Sequence, residues 1–226
     1  IPMVYGVMGL ALFAAAYSLY GGLSAVAWTD VIQVVFLVMG GLVTTYIALN
    51  TVSDGAGMME GMRIVFDAAP DRFSMILDKS NPEFKNLPGI GVLVGGLWVA
   101  NLYYWGFNQY IIQRTLAAKS LKEAQKGILL AAFLKLIIPL IVVIPGIAAY
   151  VMVNDPEIMA RLGEAGLKNL PTLEQADKAY PWLLQFLPTG LKGVAFAALA
   201  AAIVSSLASM LNSTSTIFTM DIYKQY

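Results

Sequence analysis

The chain has 226 residues, of which 58% are apolar and only 12% charged, with a mean hydropathy of +0.71. An ordinary soluble domain is about half apolar and about a quarter charged, so this composition excludes a water-soluble globule and a disordered segment and points to a polytopic, all-α membrane protein. Lys+Arg 14 balances Asp+Glu 14 and leaves no basic field for nucleic acid, while the absence of Cys and His excludes disulfide scaffolds, thiolate or imidazole metal sites and histidine-based catalysis.

A spanning helix needs about 20 apolar residues. Five stretches meet this, at about 2–19, 30–50, 89–113, 121–151 and 190–220. Tyr20-Gly21-Gly22 divides the first from the second. Between the second and third lies a long connection, 51–88, with amphipathic pieces such as 58–65. Ser120-Leu121-Lys122-Glu123 reads as a capping box opening the fourth span, and Pro139 and Pro145 are expected to bend it. A second long connection, 154–188, opens with Asn154-Asp155-Pro156-Glu157, a helix start with Pro near its first position. Thr172-Leu173-Glu174-Gln175 is expected to open another short helix. Both connections are expected to lie along the membrane surface or to cap the bundle. The chain starts Ile1-Pro2-Met3 and stops at Lys224-Gln225-Tyr226 beside an apolar helix, so both ends read as cuts within a longer chain.

Charge predicts the orientation. Between the third and fourth spans, Arg114, Lys119, Lys122 and Lys126 face only Glu123, a net +3. Each long connection is net −2. Basic residues near short loops mark the cytoplasmic side, which puts 114–126 inside, both long connections outside, Ile1 outside and Tyr226 inside.

Ionisable and amide groups at membrane depth are the candidates for function. Lys135 lies about four turns beyond Ser120 in Ala131-Ala132-Phe133-Leu134-Lys135-Leu136-Ile137-Ile138. It offers three donors to a ligand, or pairs structurally with an acid on another helix. The third span carries Asn101-Leu102-Tyr103-Tyr104-Trp105-Gly106-Phe107-Asn108-Gln109. Amides read hydroxyls and aromatic faces cover a sugar ring, so a ligand role is favoured over an interfacial aromatic belt. Gly95-Gly96 and Gly106 would let this helix pack closely or unwind. In the fifth span, Ala198 to Ser209 is rich in Ala and Ser, which by residue type suits close helix packing more than cation binding. Asp30 is either a helix N-terminal carboxylate or part of an ion path.

Three separated motifs, in order, resemble the sodium:solute symporter family: Tyr17-Ser18-Leu19-Tyr20-Gly21-Gly22-Leu23-Ser24-Ala25 before Trp28-Thr29-Asp30; Trp105-Gly106-Phe107-Asn108-Gln109 with Gln113-Arg114 and Ala118-Lys119; and Ser205-Ser206. The resemblance covers essentially the whole chain. It implies a fold of two inverted five-helix repeats, with residues 1–226 a single membrane-embedded segment holding core helices four to eight, and with helices one and six broken at the midplane.

The resemblance also implies roles. Asn101 would bind the sugar, Tyr104 would stack beneath it as the intracellular gate with Trp105 beside it, and Lys135 would bond sugar hydroxyls. Ala202, Ser205 and Ser206 would form half of the sodium site, and Asp30 would lie on the sodium exit route. Na⁺ would be the coupling ion, with no organic cofactor. The partners would be a galactose- or glucose-type sugar, the bilayer of a bacterial inner membrane and the remaining helices of the parent chain. The implied activity is secondary active transport, not enzymatic catalysis. The alternatives are a family member for a non-sugar solute, an ion channel, and an intramembrane enzyme using Ser-Lys chemistry through Lys135 and Ser205.

Overall fold

The computed structural model describes residues 2–85 and 89–225. The last part of the first connection, 86–88, and the terminal residues Ile1 and Tyr226 lie outside the described residues. Among the described residues every regular element is helical: α1 Met3–Val52, α2 Met58–Ala68, α3 Val92–Phe107, α4 Gln109–Leu116, α5 Leu121–Lys135, α6 Ile138–Asn154, α7 Pro156–Leu167, α8 Ala179–Leu184 and α9 Thr189–Ile217, which continues as a π-turn to Tyr223. Short 3-10 turns stand at Pro70–Phe73, Pro82–Lys85 and Leu173–Lys178. Three runs are long and apolar enough to cross a membrane: Met3–Val52, Leu121–Asn154 and Thr189–Tyr223. Val92–Phe107 is apolar but shorter.

The breaks within these runs have local causes. Gly22 has φ 54° and ψ −154°, a conformation that excludes side chains, and it interrupts α1 where the Gly-Gly pair predicts a break. The helix resumes directly afterwards. Asp30 is therefore inside α1 and not at a helix N-terminus, which corrects the capping reading of that residue. The predicted third span is not one helix. π-geometry occupies Val92–Gly96 and Tyr103–Phe107, and the run stops at Asn108, whose ψ is 112°. Asn108 instead caps α4, its side-chain oxygen accepting from Tyr110 N–H at 3.1 Å.

The predicted fourth span divides at residues 136–137. Pro139 has no N–H to offer the Lys135 carbonyl, so the i→i−4 ladder cannot continue there. Pro145 sits buried inside α6 without ending it. The capping box at Ser120 is half made: Ser120 Oγ accepts from Glu123 N–H at 3.3 Å, but the Glu123 carboxylate accepts from Lys126 Nζ at 3.0 Å. Asp155 caps α7 as its sequence predicts, accepting from the N–H groups of Glu157 and Ile158 at 2.9 and 3.2 Å. Thr172 precedes the 3-10 turn at Leu173–Lys178 but makes no side-chain cap there.

The chain divides into two compact units. The first contains Ile1–Leu37, Gly91–Phe133 and Ala197–Tyr226, the second Val38–Ile90 and Leu134–Phe196. The second unit holds an apolar core of Ala48, Leu49, Val52, Val65, Val151, Met152, Ile158, Trp182 and Leu183. Amphipathic α2 buries Gly61 and Val65 and leaves Glu60, Arg63 and Asp67 outside. Gly61 permits this approach, because a Cβ there would stand 2.0 Å from the Leu49 carbonyl oxygen. The first unit buries Ala14, Val26, Val204 and Ala208, with Leu10, Tyr17 and Leu207 packed against them. Small side chains let helix backbones approach closely, and Ala208 of the Ala/Ser-rich stretch, fully buried, packs in this way.

Candidate ion and solute site

On α9, Ala202, Ser205, Ser206 and Ser209 recur at i, i+3, i+4 and i+7, the spacing of one helix face. Ser209 is fully buried, and Ala202, Ser205 and Ser206 are half-buried. The Ser205 hydroxyl donates to Asp30 Oδ1. Asp30, two turns past the Gly22 break, thus reaches the proposed ion face directly, within the first unit. Thr29 beside it turns its hydroxyl back to the carbonyls of Ala25 and Val26, at 3.1 and 2.9 Å.

The second Asp30 oxygen is taken by Arg114. Its Nε donates to Asp30 Oδ2 at 2.9 Å, and its Nη2 donates to the same oxygen and to the Ser209 hydroxyl. The Ser209 hydroxyl in turn donates to the Ser205 carbonyl at 2.9 Å. Gln113, also buried, donates to the Ser209 carbonyl at 3.0 Å and to the Tyr110 carbonyl at 3.1 Å. The side chains of Asp30 and Arg114 are 16% and 34% exposed, so this is a partly buried, hydrogen-bonded ion pair and not a loosely solvated one. Sequence reasoning gives no site role to Arg114, Gln113 or Ser209, although Gln113-Arg114 stands in a motif that carries the resemblance. Arg114 counts in the sequence as a loop cation, and nothing local signals that its partner is 84 positions away.

The amide and aromatic groups form a second array in the same unit. Asn101 Nδ2 donates to the Leu97 carbonyl at 2.8 Å, and Asn101 Oδ1 accepts from the Trp105 indole at 3.2 Å. The Tyr104 and Trp105 rings meet edge to face, 5.2 Å between centroids and 84° between planes. All three side chains are exposed along a helix face that presents two aromatic rings and one amide. The break at Asn108 follows directly. Lys135 is exposed, in the second unit, at the end of α5, where Pro139 interrupts the helix.

The donor chemistry suits a monovalent cation better than a transition metal. Among the described residues no group of three or more His, Cys, Asp or Glu could hold a metal ion. Hydroxyl and carbonyl oxygens with one carboxylate behind them are hard, weak-field ligands of the kind that bind and release Na⁺. In the second unit, a cavity of about 550 Å³ is lined by residues that include Asp71, Arg72, Ser74, Asn81 and Tyr150, with the Arg72 guanidinium 4.5 Å from the centre of the Tyr150 ring. It contains none of the residues that the sequence nominates.

Comparison with known proteins follows the same lines. The model of the sodium:solute symporter family matches residues 1–226. A sodium/glucose cotransporter of Vibrio parahaemolyticus is 70% identical over 226 residues, which is 100% of this chain and 42% of that protein. The human sodium/myo-inositol cotransporter 2 is 35% identical over 247 residues, covering 99% of this chain and 34% of the relative. An uncharacterised symporter of Escherichia coli is 37% identical over 217 residues, covering 96% of this chain and 34% of the relative. The chain thus spans less than half the length of the relatives it matches.

Proposed function

We propose that this chain, which belongs to the sodium:solute symporter family, forms the core part of a secondary active transporter that couples Na⁺ entry to uptake of a galactose- or glucose-type sugar. The observation that carries this reading is the interruption at Asn108, directly after the Asn101–Tyr104–Trp105 array. Transporters build midplane sites where a spanning helix is discontinuous, since only there can backbone and side-chain polar groups serve a ligand at membrane depth.

Asn101 reads sugar hydroxyls, Tyr104 stacks beneath the ring as the inner gate with Trp105 beside it, and Lys135 donates to further hydroxyls. Ala202, through its carbonyl, and the hydroxyls of Ser205 and Ser206 contribute half of the sodium site. Asp30 stands on the ion's exit route. The relatives named for glucose and for myo-inositol share a neutral, polyhydroxylated ring, which favours a polyol over a charged solute despite Lys135. Five spans corresponding to core helices four to eight, with both long connections and residue 1 outside and residue 226 inside a bacterial inner membrane, complete the reading. Sodium binding favours an outward-open state, sugar follows, and the two repeats rock to release both inward. The membrane potential contributes about 2.3 kcal/mol per charge per 100 mV.

The test is uptake of labelled galactose, glucose and myo-inositol by the full-length protein in proteoliposomes, with an inward sodium gradient and then with potassium in its place. Sodium-dependent, saturable accumulation of galactose or glucose is expected. Accumulation of myo-inositol alone would keep sodium coupling and replace the sugar, and sodium current without solute uptake would make the protein a channel.

A further inference from the structure

We propose that Arg114 is a positioning residue of the sodium site, one that sets sodium affinity by sharing the Asp30 carboxylate with Ser205. This rests on the reading of Ala202, Ser205 and Ser206 as the ion-binding face.

A hydroxyl ligates a cation through its oxygen lone pairs and must give its proton to another acceptor. Ser205 has that acceptor in Asp30 Oδ1. The contact holds the hydroxyl in one orientation and leaves its lone pairs for the ion. It also makes Asp30 a carboxylate one hydrogen bond behind a ligand, where it strengthens cation binding without touching the ion.

Left alone, a partly buried carboxylate at this position would strengthen sodium binding and slow sodium release. Arg114 offsets that charge. Its guanidinium occupies the other Asp30 oxygen and is itself fixed by the Ser209 hydroxyl, one turn along the same face of α9. Gln113 fastens the adjoining Ser209 carbonyl at 3.0 Å. Ser205 and Arg114 therefore draw on the same carboxylate from opposite oxygens. Weakening the Arg114 contact frees negative charge toward Ser205, and strengthening it withdraws that charge. The plain alternative is that the Asp30–Arg114 pair only fastens α1, α4 and α9 together, in which case its loss lowers folded yield and maximal rate but not sodium affinity.

The experiment measures sodium activation of sugar uptake by the full-length protein in proteoliposomes, normalised to folded transporter. Arg114→Gln is expected to lower half-saturating sodium by about tenfold, and Asp30→Asn to raise it by a similar factor, the size typical for partners of metal ligands. Arg114→Gln should also slow maximal transport because sodium leaves late. Arg114→Lys, which keeps the charge, should return half-saturation toward the wild-type value. Unchanged half-saturation in Arg114→Gln, with only the maximal rate reduced, would overturn the proposal in favour of a fastener. Should Arg114→Gln fail to fold, the double variant Asp30→Asn/Arg114→Gln carries the test. Sodium dependence equal to that of Asp30→Asn alone supports action through Asp30, and any further shift overturns it. Ser206→Ala separates the two readings. Its half-saturation should rise. If it does not, the ion-site reading falls and this inference with it, whereas a rise there with Arg114→Gln unchanged sinks this inference alone.

Discussion

The two units fix their helices by different chemistry. The second does so as a soluble domain would, around a core in which Met152, Trp182, Leu183, Val52 and Val65 are all at most 2% exposed. The first has a small cluster of Ala14, Val26, Val204 and Ala208, and beside it a ladder of polar contacts running from Ser205 through Asp30 and Arg114 to Ser209 and Gln113. Burying aromatic and aliphatic surface away from water is favourable in itself. Between membrane helices it gains little, because lipid tails are as apolar as Leu, so small residues and hydrogen bonds decide which helix goes where. The polar contacts that position the first unit are therefore also available for function, while the core of the second is not.

The largest effect expected on transport comes from Tyr104→Ala in the first unit, which should abolish sugar uptake while folded yield, read by detergent-solution chromatography, stays near wild type. Lys135→Ala should do the same from the second unit. That outcome would break the tidy assignment of chemistry to one unit, and normal uptake by either well-folded variant would remove that residue from the proposed sugar site. Trp182→Ala sharpens the contrast from the other side. Trp182 is 2% exposed, donates its indole N–H to the Gly166 carbonyl at 3.1 Å and packs edge to face on Phe186. Its loss should cost about 3–5 kcal/mol, seen as a lower thermal unfolding midpoint, with the ranking of transported sugars unchanged. Asp155→Ala removes the cap of α7 and should cost about 1 kcal/mol in the same assay.

The smallest effect is at the surface of α2. The hydrogen bond from Arg63 Nε to Glu60 Oε2, 3.0 Å long, holds the Glu60 carboxyl below its ordinary value. A lowered carboxyl stabilises the fold above its unfolded-state pKa, about 4.3, and that contribution disappears as pH falls through the folded-state value. The pair lies at the protein surface, so screening leaves little to lose. Glu60→Gln should flatten a slight loss of thermal stability between neutral and acid pH, and an equal pH profile in the variant and the wild type would show that the pair contributes nothing.

Much of the local architecture is legible in the residues. Gly22 breaks α1, Pro139 divides the fourth apolar stretch, Asp155 starts α7, and 58–68 forms an amphipathic helix, each because the cause lies within a turn of its effect. Where local signals mislead, a competing local contact has won. Glu123 bonds Lys126, three residues on, instead of closing its capping box, and Asn108 ends one helix by capping the next.

The candidate site divides in the same way. Its residue types, and through them the family, are written in the chain. Composition at this level of apolarity and low charge also points to membrane segments, and uninterrupted apolar runs of about 20 residues point to helices, which satisfy their backbone polar groups within each segment. The joining of Asp30 to Arg114 and Ser205 is not written there. A carboxylate and a guanidinium 84 positions apart carry no mutual signature in sequence. Only the folded helices bring them within hydrogen-bonding distance, and at that range in a partly dry setting each decides the other's charge environment.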